Sequence, residues 1–445
     1  MSRGGPGRGC ASAVGLLLAL ASGCARHDRG TAPLRFWAMG REGEVVQELV
    51  RDFERENPGV RVTVQQIPWT AAHEKILTGF VGGVLPDVIQ LGNTWVPEFA
   101  ALNALEPLAT YCAASGLDTS TCFPGVWDTN VIEGTLYGVP WYVDTRLVFY
   151  RRDLLARAGY PGMPEDWAGW RRAMEAVKRR AGPDRFAILL PANEFAPLVS
   201  LALASGSPLL ADDGTRGAFS EPEFMRALEF YAGLFRDGLA PPVTNNEIAN
   251  LYEELARGYF AMYITGPWNL GEFATRLPDS LQDQWSTAPL PGPDGAESGT
   301  SLAGGSSLVL SRRSMRKPEA WKLIEFLMRP EQQLRFYRLS GDLPARREAW
   351  RDSALSSDPR VGAFGVQLTR VRPTPKVPEW ELIANRLQEY AERIVRGASR
   401  PDSAAAALDR ESDQILEKRR WLMSRRHDAH RAAGNAAGAA AAGAR

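Results

Sequence analysis

Tryptophan is the residue type whose number and placement in this sequence point most directly to chemistry. The chain has 13 tryptophans, and several of them stand where a predicted strand ends or a loop begins: Trp37, Trp69, Trp95, Trp141 and Trp268. At the carboxyl ends of strands in an open α/β sheet, an aromatic face can stack on the C–H face of a sugar ring while nearby polar groups bind its hydroxyls. Packing in the core is the alternative for each ring taken singly.

Residue patterns typical of catalysis are missing from the sequence. It contains no G-x-S-x-G, H-E-x-x-H, P-loop or C-x-x-C motif. Of its 4 histidines, only His73 lies inside a predicted domain, and a lone helical histidine is more often structural than catalytic. We therefore expect a protein that is not an enzyme and that uses no metal or other cofactor. Carboxylates are numerous, so a glycosidase-type pair stays open as an alternative.

Alternating strand and helix patterns must position the tryptophans. The apolar run 34–38 and the alternating run 60–66 predict strands, with a helix that has one apolar face over 44–57 between them. A helix over 71–81 and a strand over 88–91 follow. The order β-α-β-α-β predicts a mainly parallel sheet with helices on both faces.

The rest of the chain alternates in the same way, which predicts a second α/β lobe and a chain that crosses between the lobes more than once. Strands are predicted over 147–150, 186–190, 259–264 and 306–310, and helices over 167–180, 222–237, 245–257 and 318–328.

The formal net charge is +0, so no basic surface indicates nucleic acid as a partner.

The first residues have the pattern of an export signal. Arg3 and Arg8 precede an apolar run over 11–21, which is too short to span a bilayer, and small residues then lead to Cys24. We predict a signal peptide over 1–23, lipidation of Cys24 because the sequence before it is similar to a bacterial lipobox, and a linker over 24–32. The protein would then be extracytoplasmic and lipid-anchored to a bacterial membrane. An ordinary cleaved signal peptide is the alternative.

Two further cysteines, Cys112 and Cys122, stand ten residues apart in a loop-like stretch. In an oxidising compartment we predict that they form a disulfide, which would contribute on the order of 2.5 kcal/mol by loop closure. A metal site is the alternative, but two ligands are too few for one. The Ala/Gly-rich end, 431–445, is predicted to be disordered.

Five segments, taken in order, resemble the extracellular solute-binding proteins of ABC importers (family 1, the sugar-binding group that includes maltose-binding protein). They are LRFWAMGREGE, LPDVIQLGNTWVPEFAALNALEPL, GTLYGVPWYVDTRLVFYRRDLL, GYFAMYITGPWNL and SLAGGSSLVLSRRSMRKPEAWKLIEFL. The resemblance implies an α/β, two-lobed, type II-like periplasmic-binding-protein fold, with a hinge of crossing segments and a ligand cleft between the lobes. Its lobes would be 33–143 plus 285–334 and 144–284 plus 335–430.

The resemblance also implies a set of ligand-binding residues, which are Arg41, Glu42, Asn93, Thr94, Trp95, Asp144, Trp268, Gly304, Gly305 and Trp380. Some have other interpretations. Arg41 and Glu42 could be a solvated pair, Asn93 and Thr94 could cap the next helix, and the two glycines could make a turn.

The function that the resemblance implies is binding rather than catalysis. A carbohydrate ligand would close the cleft of a monomer, and the closed form would deliver it to the ABC transporter permease subunits. Three alternatives stay open: a secreted carbohydrate-active enzyme, a binding protein that feeds a sensor, and a binding protein for a non-sugar solute such as a polyol phosphate. Arg41 and Arg146 keep the last of these open.

Overall fold

Buried apolar strands form two separate main sheets in the computed structural model, which describes residues 32–425. The six-stranded sheet has the order Leu343–Pro344, Gly138–Asp144, Gly304–Leu310, Val88–Gly92, Leu34–Met39, Val62–Ile67. The four-stranded sheet has the order Trp285–Ala288, Leu147–Arg151, Phe260–Thr265, Phe186–Leu189. We call the parts of the protein built on these sheets lobe 1 and lobe 2.

Helices cover both sheets. The longer ones in the described chain are Gly40–Glu56, Trp69–Val81, Trp167–Ala181, Ala196–Ala204, Pro222–Arg236, Trp268–Arg276, Lys317–Leu327, Pro330–Ser340, Pro359–Leu368, Trp380–Val395 and Pro401–Ile415. Shorter ones are Val96–Ala101, Ala109–Ser115, Pro124–Asp128, Arg152–Arg157, Leu251–Ala256 and Ser353–Ser356. Two-residue strands pair outside the main sheets at Val131–Ile132, Thr135–Leu136, Leu210–Ala211, Arg216–Gly217, Ser301–Leu302 and Val371–Arg372. No helix within residues 32–425 has the length and hydropathy that a membrane span requires.

The parallel part of lobe 1 confirms the predicted β-α-β-α-β order. Leu34–Met39 pairs in parallel with Val62–Ile67 on one side and with Val88–Gly92 on the other. The helix Gly40–Glu56 connects the first two strands. Because its apolar residues recur on one face, Val46, Leu49 and Phe53 are buried against the sheet. All three strands therefore end at one edge of the sheet, and the segments that follow them start there.

Lobe 2 repeats this arrangement on a smaller scale. Phe186–Leu189 and Phe260–Thr265 run in parallel, so their carboxyl ends lie at one edge. Trp268 begins the helix that follows the second of these strands. The helix predicted over 245–257 is wrong in its first half, because the Asn250 side chain accepts a hydrogen bond from the Glu253 amide and caps a new helix, Leu251–Ala256.

The chain crosses between the sheets more than once. Only Thr145 and Arg146 separate a strand of lobe 1 from the strand Leu147–Arg151 of lobe 2. The boundaries predicted at 284/285 and 334/335 assign two strands to the wrong sheet: Trp285–Ala288 pairs within lobe 2, and Leu343–Pro344 pairs within lobe 1. An apolar pattern marks a strand but carries no information on its distant partner. The wider division into lobes stays a prediction.

The predicted disulfide is contradicted by the structure, in which Cys112 and Cys122 are both buried free thiols. The two side chains pack into the same apolar cluster of lobe 1, and the backbone of Cys122 forms an isolated bridge with Arg346. Burial raises the pKa of Cys112 to about 11 and that of Cys122 to about 12. Both groups are therefore held as thiols, whereas the thiolate is the form that reacts.

Candidate functional site

A cavity of about 530 Å³ lies where the carboxyl ends of strands from both sheets meet the crossing segments. Eight of the ten predicted binding residues line it: Glu42, Asn93, Thr94, Trp95, Asp144, Trp268, Gly304 and Gly305. Other lining residues that we use below are Trp69, Tyr142, Arg146, Asp342 and Glu381. The structure thus brings most of the predicted set together, and their roles as ligand-binding residues stay a prediction.

Glu42 is a buried carboxylate in the first turn of the helix Gly40–Glu56. Its Oε1 accepts a hydrogen bond from the Tyr142 hydroxyl at 2.8 Å and from Trp69 Nε1 at 3.3 Å. A negative charge near a helix N-terminus is also favoured by the helix dipole. Glu42 is therefore not a solvated surface group; it is fixed at the wall of the cavity.

Tyr142 is the residue that orients Glu42, and the sequence prediction missed it. Its hydroxyl accepts hydrogen bonds from Ser306 Oγ at 3.0 Å and from Gln90 Nε2 at 3.4 Å. Burial, together with the charge of Glu42, raises the pKa of Tyr142 well above its usual value, so it stays a donor. A signal was available, because Tyr142 lies two residues before Asp144 in one strand and residues at that spacing share a face.

The loop after Val88–Gly92 supplies a polar corner of the cavity. Asn93 is 4% exposed, and its Oδ1 accepts a hydrogen bond from Ser307 Oγ at 3.0 Å. Its Nδ2 is buried without a hydrogen-bond partner in the described part of the chain. The alternative role as a helix cap is wrong, since Trp95 occupies the N-cap of Val96–Ala101 and no side chain bonds to that helix end. The Nδ2 group is a donor that a ligand acceptor could satisfy.

Aromatic rings form the wall next to this corner. Trp69 and Trp95 meet edge to face with ring centroids 5.7 Å apart, and the His73 ring meets Trp95 edge to face at 5.3 Å. His73 Nε2 lies 2.6 Å from Glu98 Oε2, and this hydrogen bond is the main reason that the pKa of His73 is raised. The histidine that drew attention in the sequence therefore supports the Trp95 ring instead of lining the cavity.

Asp144, Arg146 and Trp268 form a connected group where the link joins the two sheets. Arg146 Nη1 donates a hydrogen bond to Asp144 Oδ1 at 2.5 Å, and its guanidinium lies over the Trp268 ring, 4.5 Å from the centroid. Trp268 is 45% exposed. Its ring is thus a large apolar surface at the cavity that solvent or a ligand can reach.

Gly304 and Gly305 belong to a strand and do not form a turn. Gly305 pairs with Val143 at a φ of +113°, and a β-carbon there would lie 2.3 Å from the Tyr142 carbonyl oxygen. Only glycine fits a backbone conformation and an approach of this kind. The two glycines allow the strand to lie against Gly138–Asp144, which holds Tyr142 and Asp144 at the cavity.

Carboxyl groups dominate the charge of the cavity. Within residues 32–425, four of them line it, from Glu42, Asp144, Asp342 and Glu381, against the single guanidinium of Arg146. Burial, with the charge of Glu42, raises the pKa of Asp342 to about 7. Burial also raises the pKa of Glu381, and a hydrogen bond with Thr94, which lines the cavity too, opposes that shift. Neither Asp342 nor Glu381 had a local sequence signal.

Two predicted binding residues lie outside the cavity. The Arg41 side chain is 62% exposed, pairs with Glu44 at 3.8 Å and donates a hydrogen bond to the Leu339 carbonyl at 3.0 Å. Trp380 is 0% exposed. It starts a helix whose buried face repeats at Ile383, Ala384 and Leu387, so its ring points into the core of lobe 2. The predicted stacking role of Trp380 is therefore wrong.

No group of three or more His, Cys, Asp and Glu side chains within residues 32–425 is arranged to hold a metal ion. The groups that line the cavity are aromatic faces, carboxylates, one guanidinium and an amide donor. They can bind hydroxyl groups and stack on apolar faces of a solute.

Comparison with known proteins gives a consistent result. The profile of a family described as bacterial extracellular solute-binding protein matches residues 38–334. The structure of the sugar-binding protein MalE from Xanthomonas citri superposes with a TM-score of 0.85 at 52% identity, over 88% of this chain and 99% of that one. The two-lobed periplasmic-binding-protein fold that was predicted is confirmed by this similarity.

Two relatives by sequence are more distant. The diacetylchitobiose binding protein DasA of Streptomyces coelicolor is 23% identical over 363 residues, which covers 80% of this chain and 83% of that protein. A lipoprotein of Streptomyces antibioticus is 28% identical over 391 residues, which covers 83% and 84% of the two chains.

Proposed function

Because the chain belongs to the bacterial extracellular solute-binding protein family, we propose that it binds a carbohydrate between its lobes and delivers it to the permease of an ABC importer. The observation that carries the proposal is the exposed Trp268 ring in a cavity lined by carboxylates and an unpartnered amide donor. An aromatic face takes the C–H face of a sugar ring, and carboxylates accept hydrogen bonds from its hydroxyls. The sugar-binding MalE and DasA proteins support this choice of ligand.

Closure of the lobes is the proposed mechanism. Glu42, Asn93 and Asp144 reach the cavity from lobe 1, and Trp268 reaches it from lobe 2. Arg146 comes from the link between the sheets. A solute that contacts both lobes binds the closed form more tightly and shifts the hinge equilibrium toward it. The permease would then recognise the closed form.

The charge of the cavity disfavours a phosphorylated solute. Phosphate recognition relies on guanidinium or ammonium groups, whereas Arg146 is the one basic side chain among the described residues that line the cavity and is already paired with Asp144. We also propose that the protein is not an enzyme, in line with the binding proteins to which it is similar. A turnover assay with aryl glycosides tests this, and product release above that of a boiled control would contradict it.

The protein is extracytoplasmic, as its family is. Cys24 lies outside the described residues, and we propose that it carries a lipid anchor, as the similarity to a lipoprotein supports. The full chain expressed in a bacterial host should then partition with membranes, and Cys24→Ala should not. Release of both into the soluble fraction would contradict the anchor. We further propose that the mature protein is a monomer, which light scattering can measure.

A thermal-shift screen tests the choice of ligand class. The mature protein is heated with maltose, maltotriose, diacetylchitobiose and lactose, and in parallel with glycerol 3-phosphate. A solute present at a hundred times its Kd should stabilise the protein by about 2.7 kcal/mol. Stabilisation by a sugar and not by the phosphate is expected. Stabilisation by glycerol 3-phosphate alone would refute the carbohydrate assignment.

A further inference from the structure

The Trp268 ring is confined on two sides. The Arg146 guanidinium covers one part of it at 4.5 Å from the centroid. The benzene part of the indole folds back over Gly266, so closely that a β-carbon on Gly266 would lie 2.1 Å from Trp268 Cζ3. No residue other than glycine leaves room for the ring in this position.

Arg146 is itself held in place. It lies in the two-residue link between the strands Gly138–Asp144 and Leu147–Arg151, and its Nη1 donates to Asp144 Oδ1 at 2.5 Å. Its Nε is buried with no hydrogen-bond partner within residues 32–425. The hydrogen bond to Asp144 therefore holds the guanidinium over the Trp268 ring, a contact for which a guanidinium is better suited than a lysine ammonium.

We propose that Arg146 and Gly266 are positioning residues that hold the Trp268 ring in one orientation before a sugar arrives. The inference rests on the proposed function and adds the reason why the Trp268 ring keeps one orientation. A tryptophan that is free to rotate must be immobilised when ligand binds, and that loss of freedom weakens binding. Because Arg146 belongs to the link between the lobes, the ring is also tied to the segment about which they move.

The first test needs no ligand. Protein labelled with 5-fluorotryptophan is studied by ¹⁹F NMR, and the Trp268 resonance is assigned with Trp268→Phe. Arg146→Ala and Gly266→Ala should each shift or broaden that resonance. The first removes the guanidinium that lies over the ring, and the second adds a β-carbon that displaces the ring. The matched control is Gly271→Ala in the same helix, where an added β-carbon meets nothing within 4 Å. A Trp268 resonance that is unchanged in both test variants would overturn the proposal.

The second test is a double-mutant cycle with maltose as the probe. Arg146→Ala should weaken maltose binding about three- to ten-fold in the wild-type background and change it little in Trp268→Ala. An equal loss in both backgrounds would mean that Arg146 acts on the sugar directly, and the positioning role would fall. If the wild type binds none of the sugars in the screen, the proposed function fails, and the NMR result still decides the positioning role.

Discussion

The Tyr142 hydroxyl donates a hydrogen bond to Glu42 Oε1 at 2.8 Å, and this contact joins the strand Gly138–Asp144 to the first turn of the helix Gly40–Glu56. Tyr142 in turn accepts from Ser306 and Gln90, which stand on two neighbouring strands of the same sheet. The Glu42 carboxylate at the cavity is therefore oriented, directly or through Tyr142, by side chains from three strands of lobe 1. Its position depends on the sheet more than on its own helix.

Tyr142→Phe should uncouple Glu42 from this network. The change deprives Glu42 of one donor and Ser306 of its acceptor, so the free energy of unfolding should fall by about 1–2 kcal/mol and sugar affinity should fall with it. Urea unfolding and titration calorimetry measure the two effects. Tyr150→Phe is the control, since the Tyr150 hydroxyl has no hydrogen bond to any described residue and lies in the other sheet. If Tyr142→Phe and Tyr150→Phe lose equal stability and equal sugar affinity, the hydrogen bonds of the Tyr142 hydroxyl do not position Glu42.

Asp342 should give the protein a characteristic pH dependence. Its pKa is about 7 in the folded protein and about 3.9 in an unfolded chain. Between about pH 4 and pH 7 the folded state binds more protons, so the free energy of unfolding contributed by this group falls as pH rises.

Asp342→Asn should remove this contribution. Above pH 7 the variant should be more stable than the wild type by on the order of 1–4 kcal/mol, and at about pH 4 the difference should vanish. Urea unfolding at pH 4, 5.5 and 8 measures the slope, with Asp279→Asn on the exposed surface as control. A difference between variant and wild type that does not change with pH would contradict the prediction.

Trp380 and Trp268 should respond in opposite ways to truncation. Trp380→Ala removes a fully buried ring from the core of lobe 2 and should cost about 3–5 kcal/mol of folding free energy. Trp268→Ala removes a ring that is already half in solvent and should change the melting temperature far less. Differential scanning calorimetry of the two variants separates these outcomes. A larger loss of stability in Trp268→Ala than in Trp380→Ala would contradict the assignment of Trp380 to the core and of Trp268 to the cavity wall.

Cys112 and Cys122 should be recovered as separate thiols from the exported protein. Their burial and raised pKa values keep them in the unreactive form. Peptide mapping under non-reducing conditions, after alkylation in denaturant, should find both cysteines alkylated, and reductant should leave the melting temperature unchanged. A Cys112–Cys122 linked peptide would restore the interpretation drawn from the sequence.

Local patterns of apolar residues in the sequence predicted helices and strands whose formation depends on those patterns. The helix Gly40–Glu56 and the strands beside it follow from apolar spacing, and the segments after those strands lie at the cavity because parallel strands end at one edge. The same reasoning placed Trp95 and Trp268 correctly at the cavity wall, although their part in ligand binding is still a prediction.

What the sequence could not supply is information about distant partners. Trp285–Ala288 has an ordinary strand pattern, and only the folded chain shows that it pairs with Leu147–Arg151. Asp342 and Glu381 reach the cavity from segments more than 200 residues away from Asn93, with no motif around them. Trp380 was mistaken for a binding residue because a tryptophan at a helix start looks the same whether its ring faces solvent or the core.

Titration calorimetry of the mature protein with the same four sugars tests the central claim most directly. It uses the wild type, Trp268→Ala, and Trp421→Ala, whose ring is 54% exposed but does not line the cavity. At least one sugar should bind with a stoichiometry of one, and Trp268→Ala should weaken it about ten- to a hundred-fold through lost stacking and buried area. Trp421→Ala should bind as the wild type does. A sugar that binds all three proteins with equal affinity, or the absence of binding by any sugar, would contradict the account of a carbohydrate site at Trp268.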